Sequence, residues 1–384
     1  MTRKEGTIII YGGSFDPPHR GHMELLRAAV KEIKPFRVYA VPAFKSPFKE
    51  AAPVSFGNRF AMLKLALRAA GAGPEKIKVS RFEGTRAGLS YTFDTIKHFR
   101  LLHPRSKICF LMGSDCLSGF GRWENYRGII NNAALLVGAR SGFSLENPSG
   151  APFRRLEGVF PEISSTSLRV ALLTGEKSRE LSGPVNSYIE RKGLYFSRER
   201  RRLKALLSPG RYAHSLAVGR LAAELAVMHG VNPQKAALAG LLHDAARDFK
   251  KKRLIRYAVS NKLKIPCYKA TAVRAPVLIH PYAAAKLAAD RFGVRDKAIL
   301  RAIAAHTLGA GRMDALAKII YVADLAAEGR TFPPAEKIRR LARRDLDAAF
   351  RAANYVKLKY TAENGSWLHP LSRKLWKPLP KKKD

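Results

Sequence analysis

Residues 7–22 read Thr7-Ile8-Ile9-Ile10-Tyr11 and then GGSFDPPHRGH, from Gly12 to His22. An apolar, β-branched run that stops at paired glycines is a buried strand running into a tight turn. Gly12 and Gly13, followed by Ser14 and Phe15, let backbone N–H groups approach an anion closely. His19 and His22 lie three residues apart where the turn enters a helix, with Gly21 between them. Two imidazoles at a helix N-terminus can donate to phosphate oxygens, helped by the helix dipole. The string therefore predicts a nucleotide-phosphate site at the carboxyl end of a first strand.

Working outward, strand-like and helix-like segments alternate through residue 196. Strands are expected at 7–11, 37–41, 77–80, 107–112 and 134–138, and helices at 21–33, 57–70 and 91–102. This alternation predicts a parallel sheet with helices on both faces, which binds ligands at the carboxyl ends of its strands. From residue 198 the pattern changes to Ala/Leu/Ile runs at helical spacing, over 214–229, 235–247, 282–292, 296–306 and 313–327. The second half is expected to be all-α. Two domains, 1–196 and 198–384, follow.

The helical half carries its own chemistry: His214, the pair His243-Asp244, His280, His306 and Asp324. The pair follows the apolar run 236–242, where burying a His and an Asp without a partner is costly. A divalent metal provides one, and imidazole with carboxylate suits Fe, Mn, Zn or Mg. The six residues are enough for two ions.

Bulk properties bound the class. The chain has 384 residues and a net charge of +40, from 70 Lys+Arg against 30 Asp+Glu. Such charge fits a polyanionic partner, including RNA. The clusters 198–202, 250–253 and 381–383 are short and lack interleaved aromatics, so a general basic bias is the favoured explanation and a nucleic-acid partner is not. Three cysteines are too few for a disulfide framework and fit a reducing compartment. No run approaches the roughly 18 apolar residues of a membrane span. A cytoplasmic enzyme is expected.

Residues 7–196 resemble the HxGH nucleotidyltransferases of the nicotinate-nucleotide adenylyltransferase kind. Besides residues 12–22, the likeness includes RFAM at 59–62, Glu83, SYTFDT at 90–95, GSD at 113–115, Trp123, NNAALLVGARSG at 131–142, ISSTSLR at 163–169 and GLY at 193–195. It implies a Rossmann-like domain that transfers AMP from ATP to nicotinate mononucleotide by in-line attack, with Mg²⁺ bridging the leaving phosphates. His19 and His22 would stabilise charge at the α-phosphate. Ser165, Thr166 and Arg169 would hold the β- and γ-phosphates. Gly113 and Asp115 would contact the adenosine side, Trp123 would stack on the pyridine ring, and the Thr92 region would read its carboxylate. Arg140 joins the nucleotide-binding set. One departure stands at Ser46-Pro47-Phe48-Lys49, where the family often has Pro-Pro-His-Lys/Arg: Lys49 keeps the cation and Phe48 replaces the histidine.

RYAHSLAVGRLAAELA (211–226), AGLLHDAARD (239–248), LIHPYAAAKLA (278–288), AIAAHTLG (302–309) and YVADLAAEGR (321–330) resemble the YqeK branch of the HD phosphohydrolases. The likeness implies symmetrical cleavage of diadenosine tetraphosphate to two ADP at a di-iron centre. His214, His243, Asp244 and Asp324 would bind one metal; His280 and His306 would bind the second, with Asp244 bridging. Arg247, one turn after Asp244, would hold a substrate phosphate, and Arg211 and Arg330 are further phosphate candidates. Other acceptors or nucleotides for either half, and an RNA-binding role for a vestigial enzyme, are the competing expectations. Oligomeric state is not legible.

Overall fold

The computed structural model describes residues 6–48, 54–71, 73, 75–86, 88–140, 145–176, 178–330 and 333–375, the side chains of Arg140 and Val159 excepted. The chain divides into two compact units, Met1–Leu168 with Ser178–Tyr195, and Arg169–Lys177 with Phe196–Asp384.

In the first unit the elements are β1 (Ile8–Gly13), α1 (Arg20–Ile33), β2 (Arg37–Pro42), α2 (Phe56–Ala69), β3 (Ile77–Val79), α3 (Thr92–Leu102), β4 (Ile108–Gly113), α4 (Tyr126–Asn132), β5 (Ala134–Arg140), β6 (Phe153–Phe160) and α6 (Gly183–Lys192), while α5 (Ser165–Thr174) opens in this unit and belongs to the second from Arg169 on. The sheet order is β3-β2-β1-β4-β5-β6, and every pairing is parallel. Ile8, Ile9 and Ile10 are fully buried, because a central parallel strand is covered on both faces. The chain builds outward from β1 through β2 on one side and β4 on the other, so the crevice between β1 and β4 is the topological switch point where such sheets bind ligands. Both strands run two residues past their last paired position, Tyr11–Leu111, to Gly13 and Gly113.

Strand β6 is not among the sequence expectations. It lies at one end of the sheet, and Arg154, Arg155 and Glu157 are exposed. Glu32 of α1 holds it from the side, accepting the Glu157 backbone N–H at 2.7 Å.

The second unit is helical: α7 (Ser197–Leu206), α8 (Pro209–Met228), α9 (Pro233–Leu242), α10 (Lys251–Ser260), α11 (Tyr268–Arg274), α12 (His280–Arg291), α13 (Lys297–Ala305), α14 (Ala315–Ala326), α15 (Pro333–Ala342), α16 (Leu346–Glu363) and α17 (Pro370–Lys374). Local chemistry starts several of them. Asn232 caps α9 ahead of Pro233, and Asp296, Asp314 and Asp345 cap α13, α14 and α16. Helices α8 and α9 cross at Gly219 and Gly240, where a Cβ on Gly240 would stand 2.9 Å from the Gly219 Cα. The core is rich in Ala and Leu from α8, α9, α12, α13 and α14.

Two candidate active sites

In the first unit the loop after β1 is fixed from below. Phe15 is 1% exposed and packs edge-on against Tyr11, with ring centroids 5.3 Å apart. Its φ of +47° costs a non-glycine residue of order 1–3 kcal/mol, which ring burial offsets. Phe15 therefore offers the site its backbone, not its ring. Arg59 of α2, itself 1% exposed, donates to the Ser14 carbonyl at 2.7 Å and the Phe44 carbonyl at 3.1 Å. It ties the loops after β1 and β2 together. The residues 59–62 were expected as a matching string, without this bracing role.

His19 is the N-cap of α1 and is 2% exposed. Its backbone N–H donates to His22 Nδ1 at 3.2 Å, and the two rings stand 3.7 Å apart. Because Nδ1 accepts, the neutral His22 ring carries its proton on Nε2 and is a donor there. Gly21 keeps this geometry open: a Cβ at that position would be 3.3 Å from His19 Nδ1 and 3.6 Å from Ile163 Cδ1. Asp16, 2% exposed, accepts from the Tyr195 hydroxyl at 2.5 Å, which ties the end of the unit's chain to this loop.

Gly113 ends β4, the strand beside β1, and exposed Asp115 follows in a short 3₁₀ turn. Trp123 is half-buried, edge-on to Phe110 at 6.0 Å and tilted on Phe120 at 5.3 Å. Thr92 opens α3. Thr95, one turn on, donates its hydroxyl to Glu83 at 2.6 Å; burial, opposed by that bond, pushes the Glu83 carboxyl above its ordinary value. Ser165 and Thr166 open α5, and the cap is Ser164, whose hydroxyl accepts from the Thr166 N–H at 3.2 Å. Arg169 follows one turn along the same helix. Lys49 and the Arg140 side chain lie outside the described residues.

In the second unit the helical expectation over 235–247 holds only to Leu242. His243 is the C-cap of α9, and residues 243–248 form turns. The break aims the pair inward. Arg211 of α8 secures these turns, donating to the Arg247 carbonyl at 2.7 Å and pairing with Asp248 at 2.9 Å. The backbone of Arg247 is thus held, and its side chain is half-exposed.

His214 comes from α8, His280 opens α12, His306 caps the end of α13 and Asp324 lies on α14. Three of the imidazoles use the same device. The Nδ1 of His243, His280 and His306 lies 2.6, 2.5 and 2.8 Å from the carbonyl of Gly240, Val277 and Ile303, three residues earlier. A carbonyl only accepts, so each Nδ1 carries the proton and each Nε2 presents a lone pair to the cluster. The two lone pairs of His280 and His306 face each other at 3.1 Å. His243 Nε2 is wholly buried and has no hydrogen-bond partner among the described residues. Converging lone pairs beside buried carboxylates fit a cation.

Among the described residues two groups of donor atoms are close enough to hold a metal ion: His214, His243 and Asp244, and Asp244, His280 and His306. Asp244 belongs to both. Asp324 Oδ1 lies 3.1 Å from His214 Nε2 and 3.6 Å from His243 Nε2. Burial opposes ionisation of both carboxylates. A proton taken up by the imidazoles, His243 above all, nevertheless holds Asp244, and Lys357 holds Asp324, well below the usual carboxylate range. Burial pushes His306 down to about 4 against its Asp244 hydrogen bond, so its ring is a neutral ligand at neutral pH. Arg330 reaches the cluster too, 3.2 Å from His214 Nε2 and 3.4 Å from Asp324 Oδ1. Lys357 of α16, 3.1 Å from Asp324 Oδ2, was not expected; one lysine in a Lys/Arg-rich chain carries no local signal.

Residues 10–171 match the cytidylyltransferase-like family, and residues 211–327 match the HD domain. A Mycoplasma genitalium protein named "Probable nicotinate-nucleotide adenylyltransferase/Ap4A hydrolase" is 31% identical over 319 residues, covering 83% of this chain and 86% of that one. A Mycoplasma pneumoniae protein of the same name is 30% identical over 361 residues, covering 92% and 98%. Among solved structures, a Clostridium acetobutylicum protein described as a "predicted HD superfamily hydrolase involved in NAD metabolism" is 30% identical and covers 47% of this chain and 93% of that one, with a TM-score of 0.45. Among the described residues no helix is long and apolar enough to cross a membrane. With a six-stranded parallel-sheet unit, a helical unit holding divalent-metal ligand groups, and likeness along most of the length of both mycoplasma proteins, this chain belongs to the family of two-domain enzymes that join a cytidylyltransferase-like nucleotidyltransferase to an HD-domain hydrolase.

Proposed function

We propose that the first unit transfers AMP from ATP to nicotinate mononucleotide, giving nicotinate adenine dinucleotide and pyrophosphate, and that the second cleaves diadenosine tetraphosphate symmetrically to two ADP. The observation that carries this reading is the pairing, in one chain, of the His19/His22 site at the sheet's switch point with two metal-ligand groups that share Asp244. The names of the two mycoplasma relatives join the same two activities.

For adenylyl transfer, the acceptor's 5′-phosphate attacks the α-phosphorus of Mg²⁺-bound ATP in line, and pyrophosphate leaves. The backbone of Gly12 to Phe15 cradles the triphosphate, and His22 Nε2–H donates to the oxygens that gain charge. The opening of α5, with Ser165, Thr166 and then Arg169, binds the leaving phosphates, and Lys49 and Arg140 add positive charge. Gly113 and Asp115 take the adenosine side. Trp123 stacks on the pyridine ring while the N-terminus of α3 at Thr92 reads its carboxylate. The step is positioning and electrostatics, with no covalent intermediate.

For hydrolysis, His214, His243, Asp244 and Asp324 hold one divalent ion, and His280, His306 and Asp244 hold a second; iron is the assignment. When bound, the metal supplies Lewis-acid activation of water and phosphate. Arg247 and Arg330 bind substrate phosphates, and Arg211 holds the turn that carries Asp244. We assign both activities to the cytoplasm, where ATP and reduced thiols coexist. The test is direct. Purified chain is given ATP with nicotinate mononucleotide, nicotinamide mononucleotide or phosphopantetheine, and separately diadenosine tetraphosphate, with products identified by mass. Transfer to another acceptor in preference, or products other than ADP, overturns the respective half.

A further inference from the structure

Lys357 lies on α16, beyond the residues that match the HD domain, yet it touches the metal-ligand cluster. Its side chain is 18% exposed. Its ammonium donates to the His306 carbonyl at 2.9 Å and to Asp324 Oδ2 at 3.1 Å, and it stands 3.9 Å over the ring of Tyr321. Tyr321 is itself 1% exposed, with its hydroxyl on Asn354 at 3.1 Å. The lysine is thus fixed from three directions. Arg330, a second cation on Asp324, is 43% exposed and reaches Asp324 Oδ1 and the Asp324 carbonyl at 3.4 Å each, longer than either of the lysine's hydrogen bonds.

The two oxygens of Asp324 are divided between two neighbourhoods. Oδ1 faces His214 and His243, with the more exposed Arg330 guanidinium 3.4 Å away, and Oδ2 faces Lys357. A carboxylate with both oxygens available can chelate a divalent ion through both. One whose second oxygen is engaged by a partly buried ammonium presents a single donor atom. We propose that Lys357 is a positioning residue that engages Asp324 Oδ2, restricts Asp324 to one ligand atom and keeps a coordination position open for the substrate phosphate. The proposal rests on reading the second unit as a metal-dependent hydrolase. It adds a residue on a helix that no part of the HD signature contains.

The test uses the full chain, stripped with a chelator and reloaded with Co²⁺, whose visible absorption weakens as coordination number rises. Wild type is compared with Lys357→Met, Lys357→Gln and Lys357→Arg. Loss of the lysine is expected to weaken the Co²⁺ bands, because Oδ2 joins the metal. Co²⁺ affinity is expected to rise roughly threefold to tenfold, since a positive charge next to the dication is gone. Lys357→Arg should restore both wild-type values. A lysine with a purely structural role would give the opposite result, with the neutral variants losing Co²⁺. Should Lys357→Met fail to fold, Lys357→Gln, which can still donate to the His306 carbonyl, carries the comparison. Neutral variants with the wild-type spectrum and affinity, or with lost affinity, overturn the proposal. A wild-type chain that takes up no Co²⁺ overturns instead the metal-dependent reading beneath it.

Discussion

Asp244→Ala is the most informative single change, because its carboxylate belongs to both ligand groups. Oδ1 lies 3.1 Å from His280 Nε2 and 3.6 Å from His306 Nε2, and Oδ2 lies 3.6 Å from His243 Nε2. Removing it leaves each group two imidazoles, the first with Asp324 beside it, and takes the shared negative charge from between them. Binding to the folded state alone stabilises by about 2.7 kcal/mol when free metal exceeds its Kd a hundredfold. In a domain of roughly 150–250 residues that corresponds to a Tm rise of about 5–11 °C. The chelator-stripped wild-type chain should show that rise when metal is restored, in the transition belonging to the helical unit. Asp244→Ala should show almost none, should hold no stoichiometric metal by elemental analysis, and should lose hydrolysis of diadenosine tetraphosphate. Asp244→Asn, of the same shape without the charge, should behave like the alanine variant. Adenylyl transfer should survive both changes. A full metal-induced Tm rise in Asp244→Ala, or two ions still bound, would refute the shared-carboxylate reasoning.

His22→Ala removes the Nε2 donor and is expected to slow adenylyl transfer at least about a hundredfold, a lost transition-state donor costing roughly 3 kcal/mol; steady-state rates for both activities check this, and hydrolysis should not change. Gly240→Ala places a Cβ 2.9 Å from the Gly219 Cα and 3.0 Å from the Val218 carbonyl carbon. Forcing α8 and α9 apart should cost about 1–3 kcal/mol in denaturant titration despite the better helix former, while Gly183→Ala, with open space around it, should be near neutral. Glu83 has its folded pKa raised above the ordinary value by burial. Its contribution to stability is therefore present below the unfolded pKa and lost as pH rises through the folded one. Glu83→Gln, which still accepts from Thr95, should raise the Tm of the first unit at pH 7 and leave it unchanged near pH 4; an equal effect at both would argue against burial of the charge as the cause.

The sequence alone determined both fold classes and the identity of the polar residues that converge. Ile8 to Ile10 are apolar on every position because a central parallel strand has no wet face, and this is readable from one strand. The run 236–242 is readable for a similar reason: an apolar helix ending in His-Asp has few explanations besides a ligand pair. Edge strand β6 was not readable, since half its residues face water and resemble a loop. The stop of α9 at Leu242 was also hidden, because residues 243–247 continue a helical pattern that the tertiary fold breaks. Only the folded chain decided that Arg59 braces the Ser14 carbonyl, that Gly219 and Gly240 let α8 and α9 touch, and that Lys357 meets Asp324 across 33 residues of sequence. The physical reason is range. Strand and helix signals arise from neighbours a few positions apart, and a cluster of ligands of costly types betrays itself by composition. A single arginine, glycine or lysine acquires its role from a partner that only packing brings into contact.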